Sequence, residues 1–171
     1  MFKKSVAGFT LVEVLAAIFL IIVGLVGISI AIQQLFPAIK IASYQLTAAY
    51  LTQEGVEIVR NIRDTNWLKT QEWNTNLFDT CCGGAGVCGC CQVDYDDSFL
   101  TSCPGGVGDY LRIDGGFYNL SSGTSTPFRR EIRIASTTAD GGRTEVEVSV
   151  SWQVGGKNYQ ASTTEYLYNW K

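Results

Sequence analysis

The sequence predicts an α+β chain: one long N-terminal helix, apolar in its first half and amphipathic in its second, packed on a C-terminal antiparallel β-sheet. Three observations predict it. From Val14 to Ile39 there is no charged residue, a run long enough for an α-helix to cross a bilayer at ~20 residues per crossing. Beyond it, Tyr44, Ala48, Leu51, Gly55, Ile58, Val59 and Ile62 recur at steps of three and four, the period of a helix with one buried face. In the last third, Val146, Val148, Val150, Trp152 and Val154 alternate with Glu145, Glu147, Ser149, Ser151 and Gln153, the signature of a strand with one face buried.

The chain opens with Lys3 and Lys4, then Gly8-Phe9-Thr10-Leu11-Val12-Glu13-Val14-Leu15. A secretory signal peptide has an apolar core of roughly 7 to 15 residues followed by a small-x-small cleavage site; here the apolar run is far longer. A plain membrane anchor needs neither Gly8 before Phe9 nor a lone carboxylate, Glu13, at the entrance to a segment where charge is costly. This stretch resembles the leader and cleavage motif of the type IV pilins and their pseudopilin relatives. The resemblance implies a cut between Gly8 and Phe9 by a membrane peptidase, methylation of the new N-terminal Phe9, and a docking role for Glu13 in filament assembly. It implies the same helix-on-sheet architecture. Residues 51–60 are similar to helices of minor pilins and minor pseudopilins. Lysines before the span favour a cytoplasmic N-terminus and place the C-terminal domain outside the cytoplasm.

The expected organisation is a leader over residues 1–8, a transmembrane and assembly helix over 9–39, its amphipathic half over 40–64, and a globular domain over 65–171. Within the span, Gly24 and Gly27 leave notches where another helix could approach. Pro37 removes a backbone bond and meets the carbonyl of Gln33, so a kink is expected there. A helix from Phe9 to Asp64 would be roughly 80 Å long at 1.5 Å per residue. Glu57 with Asn61, and Arg60 with Asp64, stand at i,i+4 on its polar face. Asp64-Thr65-Asn66 is the expected helix end, and Trp67 and Trp73 are expected to pin the following segment to the core.

From Cys81 to Gly108 the composition is that of loops, without an apolar face, so crosslinks must do there what a core cannot. Cys81, Cys82, Cys88, Cys90, Cys91 and Cys103 are six in number, and an even count in an exported domain reads first as disulfides, with fifteen possible pairings. Zinc is the rival reading, but the adjacent pairs Cys81-Cys82 and Cys90-Cys91 lack the usual ligand spacing. Asp94, Asp96 and Asp97 are a fragment of a calcium loop without its later ligands, and read better as an acidic surface loop.

In the sheet, Gly155-Gly156 makes a two-residue hairpin turn that sets Trp152 opposite Tyr159 and Val150 opposite Ala161. A three-residue loop at Asp140-Gly141-Gly142 would set Ile132 opposite Val150 and Ile134 opposite Val148, keeping apolar faces together. Asp109 to Ile113 and Gly116 to Leu120 add strand, with Ser121 to Thr126 as an exposed loop. Arg129 and Arg133 flank Glu131 on one face of their strand, with Arg130 on the other.

At 171 residues, with a fifth of the length in the membrane helix, there is room for one globular domain of ~100 residues. The formal charge of −3, or −5 without Lys3 and Lys4, creates no general field for nucleic acid. The chain has no histidine, which removes the commonest general base and metal ligand, and no nucleophile with its base emerges. An enzyme is therefore not expected, nor a cofactor, and the resemblance implies a structural subunit. As the resemblance implies, it is a subunit, minor in role, of a type IV pilus or a type II secretion-like pseudopilus. Its partners are then other pilin subunits, the prepilin peptidase and methylase, the assembly platform, and membrane lipid before assembly. A membrane-anchored extracytoplasmic binding or adhesion protein that does not polymerise is the alternative.

Overall fold

A computed structural model describes residues 8–77, 89–136 and 142–169. Its backbone falls into two compact units, Met1–Ala42 and Ser43–Lys171. A single helix, α1 (Leu11–Leu68), contributes to both and is continuous through Pro37. In the first unit, side chains from Leu11 to Ile39 are exposed on every side of the helix. A helix apolar all round belongs in lipid or among other helices rather than in water.

In the second unit α1 packs on an antiparallel sheet of seven strands: β1 (Cys91–Gln92), β2 (Thr101–Ser102), β3 (Tyr110–Asp114), β4 (Phe117–Asn119), β5 (Thr124–Ser136), β6 (Arg143–Val154) and β7 (Lys157–Tyr168). β5 is central. One of its edges pairs with β3 and, further along, with β1; the other pairs with β6, which pairs with β7. The predicted stripe on α1 is the buried one: Ala48, Leu51, Gly55, Ile58, Val59 and Ile62 are all buried, joined by Thr52 and Val56. They meet the alternate residues of the sheet in two apolar groups. Ala48 and Leu51 pack with Leu111, Phe128, Val150 and Trp152, while Val56 to Ile62 pack with Trp73, Leu77, Ile132, Ile134, Val146 and Val148. Gly55 allows the close approach between them. A Cβ there would stand 2.7 Å from Val148 Cγ1 and 3.2 Å from Arg130 Cδ.

The helix runs one turn past the expected end at Asp64. Thr65 and Asn66 continue it, and a Schellman motif closes it after Leu68: Gln71 N–H donates to Asn66 O at 2.9 Å and Thr70 N–H to Trp67 O at 3.1 Å. Thr70 takes the left-handed conformation this motif needs, φ 57°. Asn66, instead of breaking the helix, is buried and donates through Nδ2 to Trp73 O (3.1 Å) and Thr75 O (2.7 Å). It thereby ties down the segment that Trp67 and Trp73 anchor by packing on the core. The i,i+4 pairing of Arg60 with Asp64 is also corrected. Arg60 bonds Glu57 at 2.9 Å and reaches across to Glu165 of β7 at 2.6 Å, and Arg63 takes Asp64.

The β6–β7 hairpin has the expected turn, with Gly155 (φ 59°) and Gly156 (φ 79°) both left-handed. Its register sets Trp152 opposite Tyr159 and Val150 opposite Ala161. The β5–β6 register differs from expectation by two residues: Ile132 faces Val148, Ile134 faces Val146, and Arg130 faces Val150. The faces are as expected because a slip of two residues moves the ladder by one full period and returns the same side chains to the buried side. The loop expected over Ser121 to Thr126 is shorter, because β5 begins at Thr124. Its Pro127 has no N–H to give, and Thr126 Oγ1 donates to Leu111 O at 2.7 Å beside a register shift between β3 and β5.

Candidate functional site

At the head of the chain Gly8, Phe9 and Thr10 precede the helix, and nothing lies within 4 Å of the space a Gly8 Cβ would fill. Phe9 is 81% exposed. Thr10 is the N-cap: its Oγ1 accepts from Glu13 N–H at 3.3 Å and its carbonyl accepts from Val14 N–H at 3.2 Å. Glu13 therefore occupies the third helical position, the acidic member of a Thr-x-x-Glu pattern, and its carboxylate lies at the positive end of the helix dipole. The cap was legible in that four-residue spacing and is the feature the sequence reading missed. An 18-residue window of the helix that follows reaches a mean hydropathy of 3.0 and is wholly unburied. Ser29 Oγ, the hydroxyl in that stretch, donates to Leu25 O at 2.8 Å and so carries no unpaired donor into an apolar medium.

Thus Gly8, Phe9 and Glu13 stand together at the exposed start of a capped, uniformly apolar helix. Lys3 and Lys4 lie outside the described residues. A single-pass membrane-anchored chain with an α+β domain is the class this arrangement fits. Residues 3–29 match the family model described as the prokaryotic N-terminal methylation motif, and the chain thus carries the type IV pilin and pseudopilin signature. No curated protein and no solved structure matches the chain. The motif supports a type IV pilin-like or pseudopilin protein, a structural subunit rather than an enzyme.

The other predicted residues divide by their environment. Cys90 and Cys103 form a disulfide with Cα atoms 5.3 Å apart, next to the backbone bond from Cys103 N–H to Cys90 O. Cys91 is also disulfide-bonded; Cys81, Cys82 and Cys88 lie outside the described residues. Among the described residues no three His, Cys, Asp or Glu side chains are grouped to hold a metal ion. Two carboxylates of the acidic loop are taken by backbone amides, one across to the end of β4 and one within the loop: Asp94 accepts from Leu120 N–H at 2.8 Å and Asp97 from Asp94 N–H at 2.9 Å. Burial pushes the Asp94 carboxyl above its usual range, with Asp97 and Asp96 adding to the shift and the Leu120 bond and Arg130 opposing it.

Of the three arginines on β5, Arg130 is the one that the core absorbs. It is 2% exposed, donates to Glu54 Oε1 at 3.0 Å and to Val93 O at 2.9 Å, and sits between the two apolar groups of the helix–sheet interface. Strand alternation placed it on the face opposite Arg129 and Arg133 but carried no sign that this face would enclose a guanidinium.

Proposed function

We propose that this chain is a minor structural subunit of a type IV pilus or a type II secretion-like pseudopilus. It is cut by a prepilin peptidase between Gly8 and Phe9, methylated on Phe9, and assembled through its N-terminal helix. The observation that carries this reading is the juxtaposition of Gly8, Phe9 and Glu13 at the start of a helix that exposes apolar side chains on all sides. Cleavage would leave a charged amine on Phe9 close to Glu13. When such helices pack into a filament, both charges leave water, and an unpaired one costs several kcal/mol. An amine and a carboxylate from adjacent subunits neutralise each other and fix the axial register. Before assembly the same helix lies in lipid, with the N-terminus cytoplasmic and the sheet domain outside. The other subunits, the peptidase and the assembly platform are the partners of this reading, and the remaining cysteines pair with one another.

Two variants test it. Gly8→Val puts a branched side chain where the peptidase must approach the backbone, and full-length precursor should accumulate in the membrane by N-terminal sequencing. Glu13→Ala should be cleaved and stable yet poorly recruited into sheared filaments. Filaments that took up Glu13→Ala as well as wild type would remove the docking role.

A further inference from the structure

The face of the sheet turned away from α1 carries a row of polar side chains set by register. Tyr110 stands opposite Arg129, Arg129 opposite Ser151, and Ser151 opposite Gln160, across β3, β5, β6 and β7. Two residues along, Gln153 stands opposite Asn158. Together they line a groove of about 530 Å³, within the roughly 300–1,000 Å³ of ligand pockets. It opens beside Pro127, where β3 and β5 shift register.

Arg129 is the group in this row that needs an explanation. Its neighbours on β5 are engaged: Arg130 with Glu54, and Arg133 within 4.0 Å of Glu131. Arg129 instead lies over the Tyr110 ring, 3.8 Å from its centroid, and among the described residues its side chain makes no hydrogen bond or ion pair. Stacking holds the guanidinium in one place and leaves its forked donors, which match a carboxylate, facing a groove in which amides and a hydroxyl stand among Val107, Pro127, Trp152 and Tyr159. Gln153, Asn158 and Gln160 are exposed. Each offers a donor and an acceptor a few ångströms apart, the pattern that vicinal hydroxyl groups satisfy. One cation among amides, a hydroxyl and apolar side chains suits a ligand that combines one negative charge, several hydroxyls and an apolar ring face. A phosphate backbone would call for several cations, and the chain carries net negative charge.

We infer that this groove binds an acidic sugar within a polysaccharide, the carboxylate on Arg129 and the ring hydroxyls on Ser151, Gln153, Asn158 and Gln160. The site is independent of whether the chain assembles. The test is calorimetric titration of the full chain in detergent with three probes: a galacturonic acid hexasaccharide, the same oligosaccharide fully methyl-esterified, and an oligothymidylate. The acidic oligosaccharide should bind saturably, and its neutral ester at least about tenfold more weakly, as loss of a charge-assisted pair requires. Arg129→Gln should lose at least about tenfold with an unchanged circular dichroism spectrum, and Asn158→Ala with Gln160→Ala about threefold. Should Arg129→Gln fail to fold, the comparison of acid with ester on the wild-type chain still decides. Equal affinity for acid and ester, no saturable binding of the acid, or binding of the oligothymidylate alone would overturn the inference.

Discussion

Arg130 and Glu54 form one ion pair whose two ends live in different media. The Arg130 side chain is 2% exposed and that of Glu54 is 36% exposed. Removing the acid strands a guanidinium in the core with Val93 O as its remaining acceptor, whereas removing the base leaves a carboxylate that water can reach. Glu54→Ala should therefore destabilise by about 3 kcal/mol, and Arg130→Met, which preserves the packing of the stem, by clearly less. Denaturant titration of both variants, followed by tryptophan fluorescence, gives the comparison; equal losses would mean the pair is valued for its packing. Asp94 behaves in the opposite sense to a stabilising carboxylate. Its folded pKa lies above the ordinary value, first because of burial, so the folded state holds a proton that the unfolded state releases. Stability then falls as pH rises through the acid range. Asp94→Asn keeps an acceptor for Leu120 N–H and removes the charge. The variant should melt higher than wild type at neutral pH, with the gap closing as pH falls below the carboxylate range.

At the scale of the element, α1 is one helix with two kinds of end. Its start is held by Thr10 and an acid in the first turn; its finish is a Schellman turn that requires a left-handed residue and receives Thr70 instead of glycine. A β-branched residue in that region is strained, by roughly 1–2 kcal/mol. Thr70→Gly should raise stability by about 1 kcal/mol, read as a higher melting temperature, with no change in helix content. The interior of α1 is set by Gly55, where the sheet comes close enough that a methyl group would overlap Val148. Arg60, which bonds Glu165 on β7, ties the same helix to the far side of the sheet. Glu165 holds that guanidinium further toward its charged form, against the opposing effect of burial.

For the whole molecule, what periodicity encodes was legible and what distance encodes was not. The stripe from Ala48 to Ile62 and the alternation from Val146 to Trp152 each report a face, and both faces are buried as the pattern requires. Period two says which side a strand buries and is silent about sliding by two, so the partner of Ile132 was read as Val150 where it is Val148. Partners far apart in the chain, such as Arg60 and Glu165 or Arg130 and Glu54, leave no local trace at either residue. At the head of the chain, by contrast, Gly8, Phe9, Thr10 and Glu13 are contiguous, and a short window held both the motif and the cap. At the edge of the sheet, β7 pairs among the described residues with β6 alone. In an antiparallel pair both backbone groups of a residue point to the same side, and the side alternates. The two-residue turn at Gly155-Gly156 closes on Val154 and Lys157, so odd-numbered amides of β7 point at β6, a series that Asn169 N–H continues by donating to Gly142 O. Even-numbered amides, from Asn158 to Tyr166, point into solvent. In deuterated water the strand should therefore exchange as a comb: Asn158, Gln160, Ser162, Thr164 and Tyr166 lose their amide protons early, while Tyr159, Ala161, Thr163 and Glu165 keep theirs until the sheet opens.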